Sequence, residues 1–162
     1  MNYLNLDPKK TEATVEQLNV LLADYHIYYQ KLRNFHWNVV GENFFDLHEK
    51  FEEMYNDTLI KIDEIAERIL TLRYQPVSHL SEYLKMANLK ESPSETADLE
   101  MIELLLEDHG KLLTQMRKTV NFADEGDSTW LPIANSGVLP GGSRDASVWS
   151  IVFDKMDFLW IL

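Results

Sequence analysis

Apolar residues recur at steps of three and four along most of the chain, a spacing that places them on one face of a helix. The pattern predicts long helices over residues 11–37 and 44–73, the second with Asn43 as its candidate N-cap. A short run over 78–87 predicts a small helix in a connection, and a third long run follows through 101–122. Long amphipathic helices joined in this way are typical of a four-helix bundle, so we expect an all-α fold.

The pattern changes after Asp127, where charged residues become sparse and proline and glycine cluster. The turn-forming residues predict a loop at about 130–143, within an atypical segment over 128–147 that precedes the last helix. An apolar stripe favours that last helix from about 143 to 162. A chain of 162 residues suits one domain, so we interpret 1–162 as a single bundle with an atypical last helix.

The composition narrows the class of partner. The formal net charge of −12 opposes binding to phosphate backbones and to anionic membrane surfaces, and makes cations the more natural partners. Because the chain has no cysteine, any metal must be held by histidine and carboxylate groups. The sequence shows no leader-like segment and no run of roughly 18 apolar residues, so we expect a cytoplasmic protein without a membrane partner.

Two pairs of potential metal ligands in the second helix suggest metal chemistry. His48 and Glu52 are four residues apart, as are Asp63 and Glu67, so each pair lies on one face and can grip one metal. At about 1.5 Å per residue, Glu52 and Asp63 are roughly 16 Å apart along the helix. A metal needs its ligands within about 2–2.5 Å, so one copy of the helix cannot complete the site.

A second copy of the helix removes this difficulty. The two pairs share a midpoint between Asp57 and Thr58, and a twofold axis there would set the His48 pair of one copy opposite the Glu67 pair of the other. His36 would add a further nitrogen, and the resulting ligand set suits iron, manganese or zinc. The alternative is that these are solvated surface residues, and spacing alone leaves both interpretations open.

The segments around these residues are NFHWNV at 34–39, FFDLHEKFE at 44–52 and DEIAER at 63–68. They closely resemble the Dps family of mini-ferritins, and the likeness extends from about residue 5 to 127. In that family the corresponding residues form a di-iron ferroxidase centre between twofold-related subunits. The resemblance therefore implies that the metal ligands are His36, His48, Glu52, Asp63 and Glu67.

The resemblance also implies an activity and an assembly. Members of the family form a hollow dodecamer that oxidises Fe(II), preferably with hydrogen peroxide, and stores the ferric product inside as part of a stress response. Iron is the expected metal, with zinc or manganese as possible substitutes. Asp124 and Asp127 lie where the family has a threefold iron-entry pore, although a solvated helix end is an equal alternative.

The chain departs from the family in ways that limit what the resemblance implies. Many members bind DNA through a lysine-rich tail, but the N-terminal extension here has only Lys9 and Lys10, so we expect DNA binding to be weak or absent. A DNA-protecting nucleoid protein and a non-catalytic metal-binding bundle are the alternative functions.

Four aromatic residues are either electron donors to the site or packing residues: Trp37, Tyr25, Tyr28 and Tyr29.

Overall fold

The structure is a computed structural model that describes the backbone of residues 7–125 and the side chains as far as Ala123. It contains α1 (Pro8–Asn38), α2 (Phe44–Thr71), α3 (Leu80–Met86) and α4 (Asp98–Glu125). Within this part of the chain there is no strand, and the predicted all-α fold is confirmed. The atypical segment over 128–147 and the predicted last helix lie outside the described residues.

Helix α1 is the central element and packs against α2, α3 and α4. It begins where the Asp7 carboxylate accepts hydrogen bonds from the backbone N–H groups of Lys9 and Lys10, with Pro8 in the first helical turn. Its apolar stripe is buried against side chains from all three other helices. The fully buried core includes Leu22, Leu32, Phe35, Phe51, Ile69 and Met101.

The end of α2 lies within about two residues of the predicted end at 73. The helix ends at Thr71, and Arg73 adopts a left-handed conformation with φ of 68°. The backbone therefore leaves the helix just before the predicted end. At the other end Asn43 holds the N-cap position, but its side chain donates to Asp98 at 2.9 Å and makes no cap hydrogen bond.

Two buried polar contacts fix the long crossover and α4 against α1. The Asp24 carboxylate is fully buried and accepts hydrogen bonds from the backbone N–H groups of Asn88, at 2.6 Å, and Leu89, at 3.0 Å. About two helical turns further along the same face of α1, Lys31 forms an ion pair with Asp108 at 2.5 Å.

None of the helices in residues 7–125 is long and apolar enough to span a membrane.

Candidate metal centre

The two predicted histidine ligands lie against each other at the junction of α1 and α2. His36 Nδ1 is 2.8 Å from the backbone carbonyl oxygen of His48, and His48 Nδ1 is 2.8 Å from the carbonyl oxygen of His36. Because a carbonyl can only accept, each neutral ring carries its hydrogen on Nδ1. The Nε2 atom of both rings is therefore left with its lone pair, which is the form of imidazole that binds a metal.

Packing around the turn holds this histidine pair in place. The two rings are stacked with centroids 3.8 Å apart and an interplanar angle of 20°, and Phe44 stacks on the outer side of His48 at 5.0 Å. Beneath them the rings of Phe35 and Phe51, one residue before His36 and three after His48, pack at 5.9 Å. Gly41 makes the turn possible because its φ of 118° is rarely adopted by other residues.

Glu52 is one helical turn after His48 on α2 and is exposed to solvent. The ring of Tyr55 meets the His36 ring edge-on with centroids 5.4 Å apart. Partial desolvation, followed by the negative charge of Glu52, raises the pKa of Tyr55. The structure thus places Tyr55 beside two of the predicted ligands, His36 and Glu52. The sequence interpretation missed this residue, although its spacing of three from Glu52 puts both on one helix face.

Asp63 and Glu67 lie on the other half of α2, where both side chains are exposed. Among the described residues, no group of three or more histidine, aspartate and glutamate side chains is close enough to hold a metal ion. One chain alone therefore does not bring the two halves of the candidate site together. The shared site between two copies stays a prediction.

The middle of α2 is unusually apolar for an exposed surface. Leu59 and Ile60 are 51% and 57% exposed, and they border a cavity of about 530 Å³ between α2, α1 and the start of the crossover. Asp63 and His26 also line this cavity. Leu59 and Ile60 follow directly after the predicted twofold midpoint. Because Ile60, Asp63 and Glu67 are three and four residues apart, this apolar patch and the two acidic candidate ligands lie on the same face of α2.

Other residues singled out in the sequence have different surroundings. Trp37 is 58% exposed and packs against the guanidinium of Arg33. Tyr25 and Tyr28 are buried, and Tyr28 hydrogen-bonds through its hydroxyl to His109 at 3.1 Å. The candidate pore cannot be placed because Asp127 and the side chain of Asp124 lie outside the described part of the chain.

A ferritin-like domain model matches residues 15–130. The DNA protection during starvation protein 2 of Bacillus anthracis is 42% identical over 117 residues, which cover 72% of this chain and 80% of that protein. The Dps crystal structure from Vibrio cholerae O1 superposes with a TM-score of 0.84 at 33% identity, covering 99% of this chain and 93% of that one. A Dps structure from Bacillus brevis gives a TM-score of 0.73 at 36% identity, covering 75% and 82%.

The family match spans most of α1 and all of α2, so it covers the positions of all five predicted ligands, whose roles stay predictions. The chain belongs to the ferritin-like family and, within it, to the Dps group.

Proposed function

We propose that this protein is an iron-storing ferroxidase whose catalytic centre is shared between two subunits. His36, His48 and Glu52 of one subunit would bind iron together with Asp63 and Glu67 of the partner subunit. The observation that carries this proposal is the exchange of hydrogen bonds between His36 and His48, which uses the Nδ1 atom of each ring and leaves Nε2 as the atom that could bind a metal. Nitrogen and carboxylate oxygen ligands without sulfur suit ferrous iron, with zinc or manganese as substitutes.

Iron is the substrate of this site rather than a permanent cofactor. Two ferrous ions supply the two electrons that reduce one hydrogen peroxide, which takes up two protons to give two waters. Anionic carboxylates favour the product, because Fe(III) carries more charge than Fe(II) and interacts more strongly with them. The role of the protein is to hold the ions adjacent and to direct both electrons to one oxidant, so that hydroxyl radical is not released.

Because one subunit supplies only part of the candidate site, the site requires two subunits to meet along α2. A twofold contact at the middle of α2 would cover Leu59 and Ile60 and set the acidic pair of each subunit opposite the histidines of the other. We further propose that such dimers build the hollow dodecamer of the family, in which the ferric mineral is stored. The V. cholerae relative is described as a member of a superfamily of ferritin-like diiron-carboxylate proteins, which supports the proposed di-iron site.

Protection of DNA requires no contact with DNA in this account. The B. anthracis relative is named for DNA protection during starvation, and removal of Fe(II) and peroxide would protect DNA chemically. The net charge of −12 disfavours direct binding to the phosphate backbone. A nucleoid-coating role is therefore the weaker candidate, and it predicts salt-sensitive DNA retention.

Anaerobic titration with Fe(II), followed by addition of peroxide or dioxygen, tests the function, with particle mass measured on the same sample. We expect saturable ferrous binding, ferric formation that is faster with peroxide than with dioxygen, and a particle of many subunits. Faster oxidation by dioxygen would contradict the oxidant preference alone. Ferrous binding that does not saturate, without ferric product, would leave only a bundle with adventitious cations.

A further inference from the structure

A half-buried histidine on α1 lies near the acidic half of the candidate centre. His26 lines the cavity between α1, α2 and the start of the crossover, and Asp63 lines the same cavity from α2. His36 is ten residues further along α1, which is about 15 Å at 1.5 Å per residue. His26 therefore places an imidazole on the side of the centre where the proposed ligands are carboxylates alone.

The His26 ring is held by its face and not by its nitrogen atoms. It stacks on the Tyr83 ring with centroids 4.1 Å apart and an interplanar angle of 15°. Within residues 7–123 neither ring nitrogen has a hydrogen-bond partner, and no side-chain nitrogen or oxygen there is buried without one. The ring nitrogens are therefore open to solvent. Burial lowers the pKa of His26, which favours the neutral ring, the form that binds a metal.

Hydrogen bonds fix the surface on which His26 stacks. The Tyr83 hydroxyl donates to the Val77 carbonyl oxygen at 2.6 Å, and the Val77 N–H donates to the Asn19 side-chain oxygen at 2.9 Å. Tyr83 itself is buried. The histidine ring is therefore oriented before any metal arrives, and a ligand that is held in advance loses less freedom on binding.

We propose that His26 is a further protein ligand of the shared centre and binds the iron ion on the Asp63 side. This inference rests on the proposed ferroxidase function. Imidazole nitrogen suits iron and zinc, so His26 gives this ion a nitrogen ligand from the same subunit that supplies Asp63 and Glu67. Among the described residues one subunit has no complete metal site, so the partner subunit still supplies the remaining ligands.

Zinc binding tests this assignment without redox chemistry. Isothermal titration compares wild type with His26→Phe, which keeps a stacking ring but removes both nitrogens. The matched control is His79→Phe, the same substitution at an exposed histidine that does not line the cavity. A chain with His36→Ala and His48→Ala shows whether the proposed centre binds zinc. Anomalous scattering at the zinc absorption edge, from crystals of zinc-loaded wild type, locates each ion independently of any variant.

We expect His26→Phe to weaken the binding of one zinc ion at least about tenfold, and His79→Phe to leave zinc binding unchanged. In the crystal one ion should lie about 2.0–2.1 Å from a ring nitrogen of His26. Unchanged affinity in a folded His26→Phe protein would overturn the assignment, as would zinc bound to Asp63 without His26.

The chain with His36→Ala and His48→Ala separates this inference from the proposed function. If that chain binds zinc as wild type does, the proposed centre is wrong and this inference fails with it. If that chain loses affinity while His26→Phe does not, only the role of His26 is overturned.

Discussion

His36 and His48 each donate from Nδ1 to the backbone carbonyl of the other, across the turn between α1 and α2. This exchange selects one tautomer for both rings and turns both Nε2 atoms into available metal ligands. Each histidine is therefore a candidate ligand and also the group that orients the other one. Because the acceptors are backbone carbonyls, a side-chain substitution at one histidine removes a candidate ligand and the stacked ring, but keeps the hydrogen bond that orients the other ring.

Replacing His48 with alanine removes one ligand and the hydrogen bond that the His36 carbonyl accepts. Loss of an orienting partner alone typically weakens metal binding about 10–100-fold, so we expect zinc affinity to fall by at least about tenfold. Isothermal titration with zinc measures this without redox chemistry. His79→Ala is the matched control, because His79 is exposed and pairs only with Glu82 in the described structure; equal losses in both variants would contradict the assignment.

The buried pair of Lys31 and Asp108 joins α1 to α4 and should dominate the stability of that contact. Lys31→Ala leaves the Asp108 charge buried without its partner, so we expect the free energy of unfolding to fall by about 3–5 kcal/mol. Urea denaturation of the metal-free protein measures the change. Lys111→Ala is the control, because it breaks only the exposed pair with Glu107 and should change the free energy of unfolding little. A similarly small change for Lys31→Ala would show that the buried pair is not a major contact.

Stability should decrease in mild acid because of His109. Burial lowers the pKa of this histidine, whose Nδ1 donates to the Leu105 carbonyl and whose Nε2 faces the Tyr28 hydroxyl, with Asp108 adjacent. Since its pKa is lower in the folded than in the unfolded state, the unfolded chain binds protons first as the pH falls. The contribution is fully present above about pH 6.5 and is lost progressively below it.

Urea midpoints of the metal-free protein at pH 7.5 and 5.5 test this dependence. Wild type should be less stable at the lower pH, and His109→Gln should show a smaller difference between the two. His26, whose pKa burial also lowers, contributes with the same sign and should account for part of the remainder. An unchanged pH dependence in His109→Gln would contradict the account.

Much of this fold could be predicted from the sequence because amphipathic helices carry a periodic signal. The starts of α2 and α3 lie within about two residues of the predictions. The end of α2 also lies within about two residues of the prediction, whereas no residue preference predicts the left-handed conformation of Arg73. Contacts between elements, such as Lys31 with Asp108, also carry no periodic signal.

The candidate site was predictable to the extent that its residues lie at fixed steps on a helix. The spacing from His48 to Glu52 and from Asp63 to Glu67 predicts two half-sites, and the structure of one chain keeps these halves apart. The surroundings of the site were less predictable. The contact between Tyr55 and His36 depends on how α1 and α2 pack, which the spacing of residues along one helix does not reveal.

The central claim is that each site is completed by two chains, and co-assembly of two defective chains tests it most directly. One chain carries His36→Ala and His48→Ala, and the other, with a different affinity tag, carries Asp63→Ala and Glu67→Ala. In a mixed dimer one site collects all four substitutions while the other keeps every ligand. Doubly tagged dimers should therefore recover about half of the wild-type ferroxidase activity from two parents that are nearly inactive. If verified mixed dimers of folded chains recover no activity, the shared site is wrong.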